Sequence, residues 1–464
     1  MRLAIPIAVQ NLLISSFSLI DTAMVSQLGG TELSAVGMAG QWAWLLTMFL
    51  FGIASGASVF LAQYWGVRNV AGIRRVTGIA LLVSFVFFLP IFLTPLISPE
   101  FVISLFNRDP DIIRAGSAYL SIALWSYPAV MLNSVISATL RSTEVVKLPM
   151  VISGISTVTN GALNYAFIFG IGPIPAMGVE GAAIATVISA WIGPILLLVC
   201  AVFSKTVLRA SPLSFFRLQA SEFRDVLRRM LPVIFNESLW GVGTWVILLI
   251  YSNIDKDAYG GVTIFRTCET LAFALVQGLG AACCVSVGKS VGAGEIRNAI
   301  RDARRFGILV PLFSIVIGGL LIALHQPILF FFNLSGTLSD VTLQTAKGII
   351  IIYSIELAIR NIPYIQIVGI FRSGGDTLFA TLFDVGCLWF FSVPVALLGA
   401  KLGLPFLLIV LLVYICEDWP KAFFCLLRFA GGKWIKPVTP EGIEGHKRYL
   451  AEKKQKTKFF KNAN

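Results

Sequence analysis

Charge is what this sequence has least of. Only 13% of its 464 residues are Asp, Glu, Lys or Arg, about half the roughly 25% usual in soluble domains. That leaves too little polar surface to cover a water-soluble globule of this length. Histidine is nearly absent: His325 and His446 are too few and too far apart for a metal cluster. The seven cysteines form no CxxC pair and sit in or beside apolar runs, so they read as small core hydrophobes. There is no phosphate-binding loop and no nucleophile paired with a base. The Gly-rich stretch 288–294 lies at a basic loop with no strand before it, so it is not a dinucleotide fingerprint. These absences argue against an enzyme, against a cofactor and against ATP as the energy source. An ion gradient remains.

Apolar residues are there in excess, at 57%, with 41 Gly and 20 Pro spread inside the apolar runs, as membrane helices tolerate. Runs long enough to span recur at 4–25, 36–62, 76–97, 117–140, 149–169, 181–203, 230–252, 262–287, 307–331, 344–371, 378–400 and 405–427. They are continuous or helical in period, not the alternating ten-residue strands of an outer-membrane barrel. The reading is an all-α membrane protein of about twelve transmembrane helices. The run after Met1-Arg2 has no small-residue cleavage site and is taken as the first span, not a leader.

With both termini cytoplasmic, 28 of the 36 Lys and Arg fall in inside segments. Five fall outside: Arg108, Arg114, Lys256, Lys347 and Lys401. The asymmetry sets the orientation in a plasma or inner membrane. It also accounts for most of the net charge of +12 without nucleic acid: the basic loops meet anionic lipid. The basic tail from Lys433 reads as disordered, with the membrane surface as an alternative place for Lys453, Lys454, Lys456, Phe459 and Phe460.

The basic loop 204–229 separates two sets of six spans. This gives an N-terminal lobe (1–204), a linker (205–229), a C-terminal lobe (230–430) and a tail (431–464). The sets look related. Pro6 and Gly66 lie 226 residues before Pro232 and Gly292, and Asn11 stands opposite Glu237 at the same offset. Six spans per copy keep both copies in one orientation, so the lobes are pseudo-symmetric about the membrane normal, an arrangement common in secondary transporters.

An ionisable group inside a span costs about 2.5–3.5 kcal/mol on insertion scales, so such groups mark places of work. Asp21 lies late in the first span near Ser15, Ser16 and Ser18, which can solvate a carboxylate; the alternative is a helix-end Asp at the outer headgroups. Asn160 and Asn164, four apart, share a helix face and could serve a protonated carboxyl or a cation's oxygen shell, or glue helices. Glu237 has no basic residue within a turn, so it reads as an unpaired carboxylate able to exchange protons. Arg266 with Glu269, and Glu356 with Arg360, read as intrahelical ion pairs. Asp384 has no cation nearby in sequence, and Asp376 reads as a helix N-cap after a Gly-Gly turn.

The chain resembles the multidrug and toxic compound extrusion (MATE) family of cation-coupled exporters over nearly its whole length. The resemblance rests on Pro6 with Asp21-Thr22-Ala23-Met24-Val25 and Leu28-Gly29; Ala62-Gln63 with Gly66; and Asn160-Gly161-Ala162-Leu163-Asn164. It continues through Met177 to Thr186, Leu231-Pro232 through Asn236-Glu237 to Trp240-Gly241, and Arg372-Ser373-Gly374-Gly375-Asp376-Thr377. It implies two six-helix lobes around a cavity that opens alternately to each side. Asp21 matches a proposed H+ or Na+ site, Asn160 an Asn of that cluster, and Thr186 a hydroxyl lining the same cavity. Asn164 stands where some members have Asp. Glu237 matches a second-lobe carboxylate, and Asp384 falls in a helix where some branches are acidic. The expected function is export of amphipathic or cationic organic compounds against H+ or Na+, by a monomer, without a cofactor. Asp21, Asn160, Asn164, Thr186, Glu237, Glu269 and Asp384 form the candidate set for cation coupling and substrate binding, with Na+ conceivable at Asp21 or Glu237. The rivals are a lipid-linked oligosaccharide flippase, disfavoured by the scarcity of Arg and Lys in the spans, and a non-transporting scaffold or receptor.

Overall fold

A computed structural model describes residues 3–203, 206–217, 219–333 and 338–462, without the side chains of 16–20, 202, 256–257 and 456–462. The side chains of Ser16, Ser18, Lys456, Phe459 and Phe460 therefore lie outside the described residues. The fold is all-helical. Twelve long helices follow one another: α1 (Ala4–Ser26), α2 (Gly30–Gly66), α3 (Val70–Ile97), α4 (Pro110–Ser142), α5 (Lys147–Phe169) and α6 (Gly178–Phe203). Then come α7 (Ala220–Ile254), α8 (Lys256–Gly292), α9 (Ile296–Phe332), α10 (Asp340–Gly374), α11 (Thr377–Lys401) and α12 (Phe406–Ala430). The shortest has 23 residues, about 34 Å at 1.5 Å per residue, enough to cross a hydrocarbon core of about 30 Å. Among the described residues nine are apolar enough throughout to span. A thirteenth helix, α13 (Pro440–Asn462), is polar and basic.

The outward faces suit lipid. On α9, Ile308, Leu312, Ile315, Val316 and Leu320 are all more than half exposed and form one stripe at helical spacing. Such a stripe on a soluble protein would drive association.

Three stretches leave α geometry, each beside a proline. A 3₁₀ turn at Leu124–Ser126 precedes Pro128, a π segment at Ile365–Phe371 follows Pro363, and another at Leu388–Ser392 precedes Pro394. Proline cannot donate its backbone bond, and the local change of pitch re-pairs the freed groups. Both π segments adjoin residues of the site described below, where such segments are often found.

The chain forms two compact units. The first holds Arg2–Leu61 and Asn69–Ile234; the second holds Ala62–Arg68 and Phe235–Asn464. An apolar cluster in the first contains Leu46, Leu50, Phe88, Ile91, Leu120, Tyr127 and Met131, and the Trp42 indole donates to the Ile91 carbonyl at 2.9 Å.

In the second unit the end of α2 crosses the end of α8. A Cβ on Gly66 would lie 2.2 Å from the Lys289 carbonyl oxygen, and one on Gly292 would lie 2.1 Å from that of Gln63. The two glycines that match at offset 226 are thus each other's steric requirement: only hydrogen fits at either place.

The expectation of a disordered tail is overturned over the described residues. Trp434 and Ile435 are buried, and Trp434 stacks on Phe429 with ring centres 5.9 Å apart. The Lys436 amide donates to the Gly374 carbonyl at 2.7 Å, the Val438 amide to Gln63 Oε1 at 2.8 Å, and Thr439 Oγ1 to the Gly292 carbonyl at 2.6 Å. α13 follows, and Arg297 of α9 pairs with Glu452 on it. Composition predicts disorder here because the segment is polar. An apolar Trp-Ile pair and three hydrogen bonds to the helix ends are enough to anchor it.

Candidate functional site

In the first unit, α1 brings Asp21 to the face of α5 that carries both asparagines. Asn164 donates its side-chain amide to Asp21 Oδ1. Asn160, its amide turned as the Asp21 carboxylate requires, donates to the same oxygen at 2.9 Å and has its own oxygen 3.0 Å from Ser189 Oγ. Asn160 and Asn164 are buried, and among the described residues the carbonyl oxygen of Asn164 has no hydrogen-bond partner. Thr186, on α6, donates to the Ala182 carbonyl one turn back and joins the group through Ser189, whose hydroxyl meets the Thr186 carbonyl at 3.1 Å. Tyr119 of α4 lies near Thr186 and Asp21. The shell around this carboxylate is neutral: amides and hydroxyls.

The second unit gathers acids and bases from α7, α8, α10, α11 and α12. Here the expectation for Glu237 fails. Arg372, 135 positions away and fully buried, lies with Nη2 2.6 Å from Glu237 Oε1. It follows directly on the π segment of α10, which redirects it inward. Asp384 also has a cation: Lys421 Nζ donates to it at 2.8 Å and to Glu417 at 2.7 Å. Asn236 Nδ2 donates to the other Asp384 oxygen at 2.9 Å, and Ser392 Oγ to the other Glu417 oxygen at 3.0 Å.

Arg266 and Glu269 do pair, at 2.7 Å, but Glu356 and Arg360 do not. Arg360 instead lies 3.6 Å from Glu269 and 3.4 Å from Asp418, while Glu356 accepts from the Trp419 indole at 3.1 Å. Four residues apart on one helix is a permissive spacing, not a sufficient one, when stronger partners face the group across the bundle. Asp376 occupies the N-cap position of α11 without a side-chain cap bond; it is clamped by Arg428 at 2.7 Å and Lys436 at 2.6 Å.

Of these groups Arg266, Glu269, Arg360 and Glu417 line a partly open cavity, together with Trp240, Tyr251, Phe265 and Tyr414.

A profile of the MatE family matches residues 6–166 and 232–398. The chain belongs to the MATE family. It is therefore a multi-pass membrane transporter, not an enzyme, with that family's fold. Among similar proteins is the "Probable multidrug resistance protein NorM" of Thermotoga maritima, 26% identical over 437 residues, 94% of this chain and 92% of the relative. The "Probable multidrug resistance protein YoeA" of Bacillus subtilis is 25% identical, covering 88% and 91%. Solved MATE structures agree in fold. A "multidrug resistance MATE family transporter of the MOP superfamily" in an outward-facing conformation superposes with a TM-score of 0.83 at 16% identity, over 93% of this chain and 95% of that one. The "eukaryotic MATE transporter AtDTX14" gives 0.79 at 18% identity, over 96% and 97%.

In this MATE protein the sequence reading misses Arg372, Glu417, Asp418 and Lys421. Arg372 falls next to a Gly-Gly turn and reads as a loop cation. Lys421 lies in a span, 37 positions from Asp384 in sequence. The i,i+4 spacing of Glu417 and Lys421 was the available signal. The argument from scarce interior cations also needs correction: Arg360, Arg372 and Lys421 all lie within membrane helices, and each is held by carboxylates.

Proposed function

We propose that this chain is a cation-coupled antiporter that exports amphipathic organic compounds by alternating access, with Asp21 taking up and releasing the coupling H+ or Na+. The carrying observation is the neutral shell of Asp21 together with the unpartnered Asn164 oxygen beside it. A carboxylate only accepts hydrogen bonds, so it cannot satisfy a second acceptor. A protonated Asp21 gains a donor for that oxygen, and a sodium ion would draw on the same two groups as ligands. Either change alters the bonding among α1, α5 and α6, which gives the two occupancy states different preferences for conformation. Glu237, Glu269, Asp384, Glu417 and Asp418 of the second unit already have guanidinium or ammonium partners, so a coupling ion is less needed at those acids.

The basic asymmetry supports cytoplasmic termini and a place in the plasma or inner membrane, and one charge crossing 100 mV supplies about 2.3 kcal/mol. The test is ethidium efflux from proteoliposomes under separate H+ and Na+ gradients. Wild type responds to at least one gradient, and Asp21→Asn loses that response by about tenfold or more. Undiminished efflux by the variant under both gradients would rule out Asp21 as the coupling group.

A further inference from the structure

The charged groups lining the second unit's cavity are not equivalent. Glu269 has one oxygen on Arg266 at 2.7 Å and the other facing Arg360 at 3.6 Å. Glu417 has one oxygen on Lys421 and the other on Ser392. Arg360 is fixed between Glu269 and Asp418, with its guanidinium 5.1 Å from the ring centre of Tyr414. Arg266 is different. Its side chain is 43% exposed, against 13% for Glu269 and 7% for Glu417, and a guanidinium has five N–H donors where Glu269 uses one. Among the charged side chains that line the cavity, the carboxylates are thus masked and the most exposed is the Arg266 guanidinium.

This arrangement discriminates by charge. A cationic guest must displace Arg266, Arg360 or Lys421 to reach a carboxylate. An anionic guest meets free N–H donors with nothing to displace. The aromatic walls of Tyr251, Phe265 and Tyr414 select for a flat apolar body.

We propose that this cavity binds an amphipathic aromatic carboxylate, with its ring system against Tyr251, Phe265 and Tyr414 and its carboxylate on Arg266. Glu269 is the positioning residue that holds the guanidinium in place. The physiological meaning rests on the chain being an exporter of organic compounds, but the binding does not depend on any gradient. The two readings therefore fail separately: antiport can be absent while binding persists, and the reverse.

The probe pair is fluorescein, an aromatic carboxylate, and rhodamine 6G, a cation on the same ring system. Binding is read by fluorescence anisotropy on the full-length protein in lipid nanodiscs. Wild type binds fluorescein more tightly than rhodamine 6G. Arg266→Gln weakens fluorescein at least about tenfold without weakening rhodamine 6G, and Arg266→Lys falls between, because an ammonium lacks the two-pronged geometry that matches a carboxylate. Thr244→Trp, which fills the cavity without touching an ion pair, weakens both dyes. Native fluorescein affinity in Arg266→Gln, or a wild type that prefers rhodamine 6G, overturns the proposal. Should Arg266→Gln fail to fold, undiminished fluorescein binding by Thr244→Trp overturns it equally.

Discussion

In the first unit a carboxylate within the bundle, Asp21, is met by neutral amides. In the second, Glu237, Glu269, Asp384, Glu417 and Asp418 are each met by a guanidinium or an ammonium. The physical consequences are opposite. A carboxylate among amides can exchange its charge for a proton or a metal ion with little rearrangement. A carboxylate bound to a tethered cation cannot be neutralised without leaving that cation unpaired in a low-dielectric interior, which is costly. One arrangement suits a titrating switch, the other a fixed frame.

The contrast breaks most visibly at Lys421. It compensates Asp384 and Glu417 together, so Lys421→Met leaves two buried carboxylates without a cation. The expected destabilisation is about 3–5 kcal/mol, read as a lowered unfolding midpoint in detergent. A midpoint near wild type would show that those acids are already neutral, and that the second unit resembles the first.

Next in size is Glu237→Gln, which strands the buried Arg372. A loss of about 3 kcal/mol is expected, less than for Lys421 because Gln keeps a hydrogen-bonding oxygen. Adding Arg372→Met to that variant restores most of it, since removing both members of a buried pair is often close to neutral. A double variant as unstable as the single one would mean that Arg372 has a further duty.

The smallest effect sharpens the comparison from the other side. Asp21→Asn shifts the unfolding midpoint by the equivalent of less than about 1 kcal/mol, while transport is lost. A large destabilisation there would make Asp21 part of the frame.

The helical fold was legible because the bilayer imposes apolar runs of nearly fixed length, and the runs mark where helices are. Their ends were less legible. The run at 36–62 belongs to a helix over Gly30–Gly66, and that at 262–287 to one over Lys256–Gly292, because helices continue past the hydrocarbon into polar residues. The meeting of Asp21 with Asn160 and Asn164 could be anticipated from a helical spacing and a shared motif set. The partners of Glu237 and Asp384 could not. Arg372 and Lys421 reach them from other helices, and no spacing rule connects residues 135 or 37 positions apart. Periodicity reports which face of a helix is apolar, and not which charge waits opposite.

The docked segment after α12 has a consequence for the order in which this protein is made. Asp376, with its side chain fully buried, has two counter-ions, and the second, Lys436, leaves the ribosome only after α12 has been made. The same stretch supplies Trp434 and the bonds to Gly374, Gln63 and Gly292. The turn between α10 and α11 therefore stays unfinished until after α12 is made, with Arg428 as the first counter-ion to reach it. A chain cut directly after α12 would keep its membrane helices and still lack the piece that finishes this turn, so quality control has a localised defect to read.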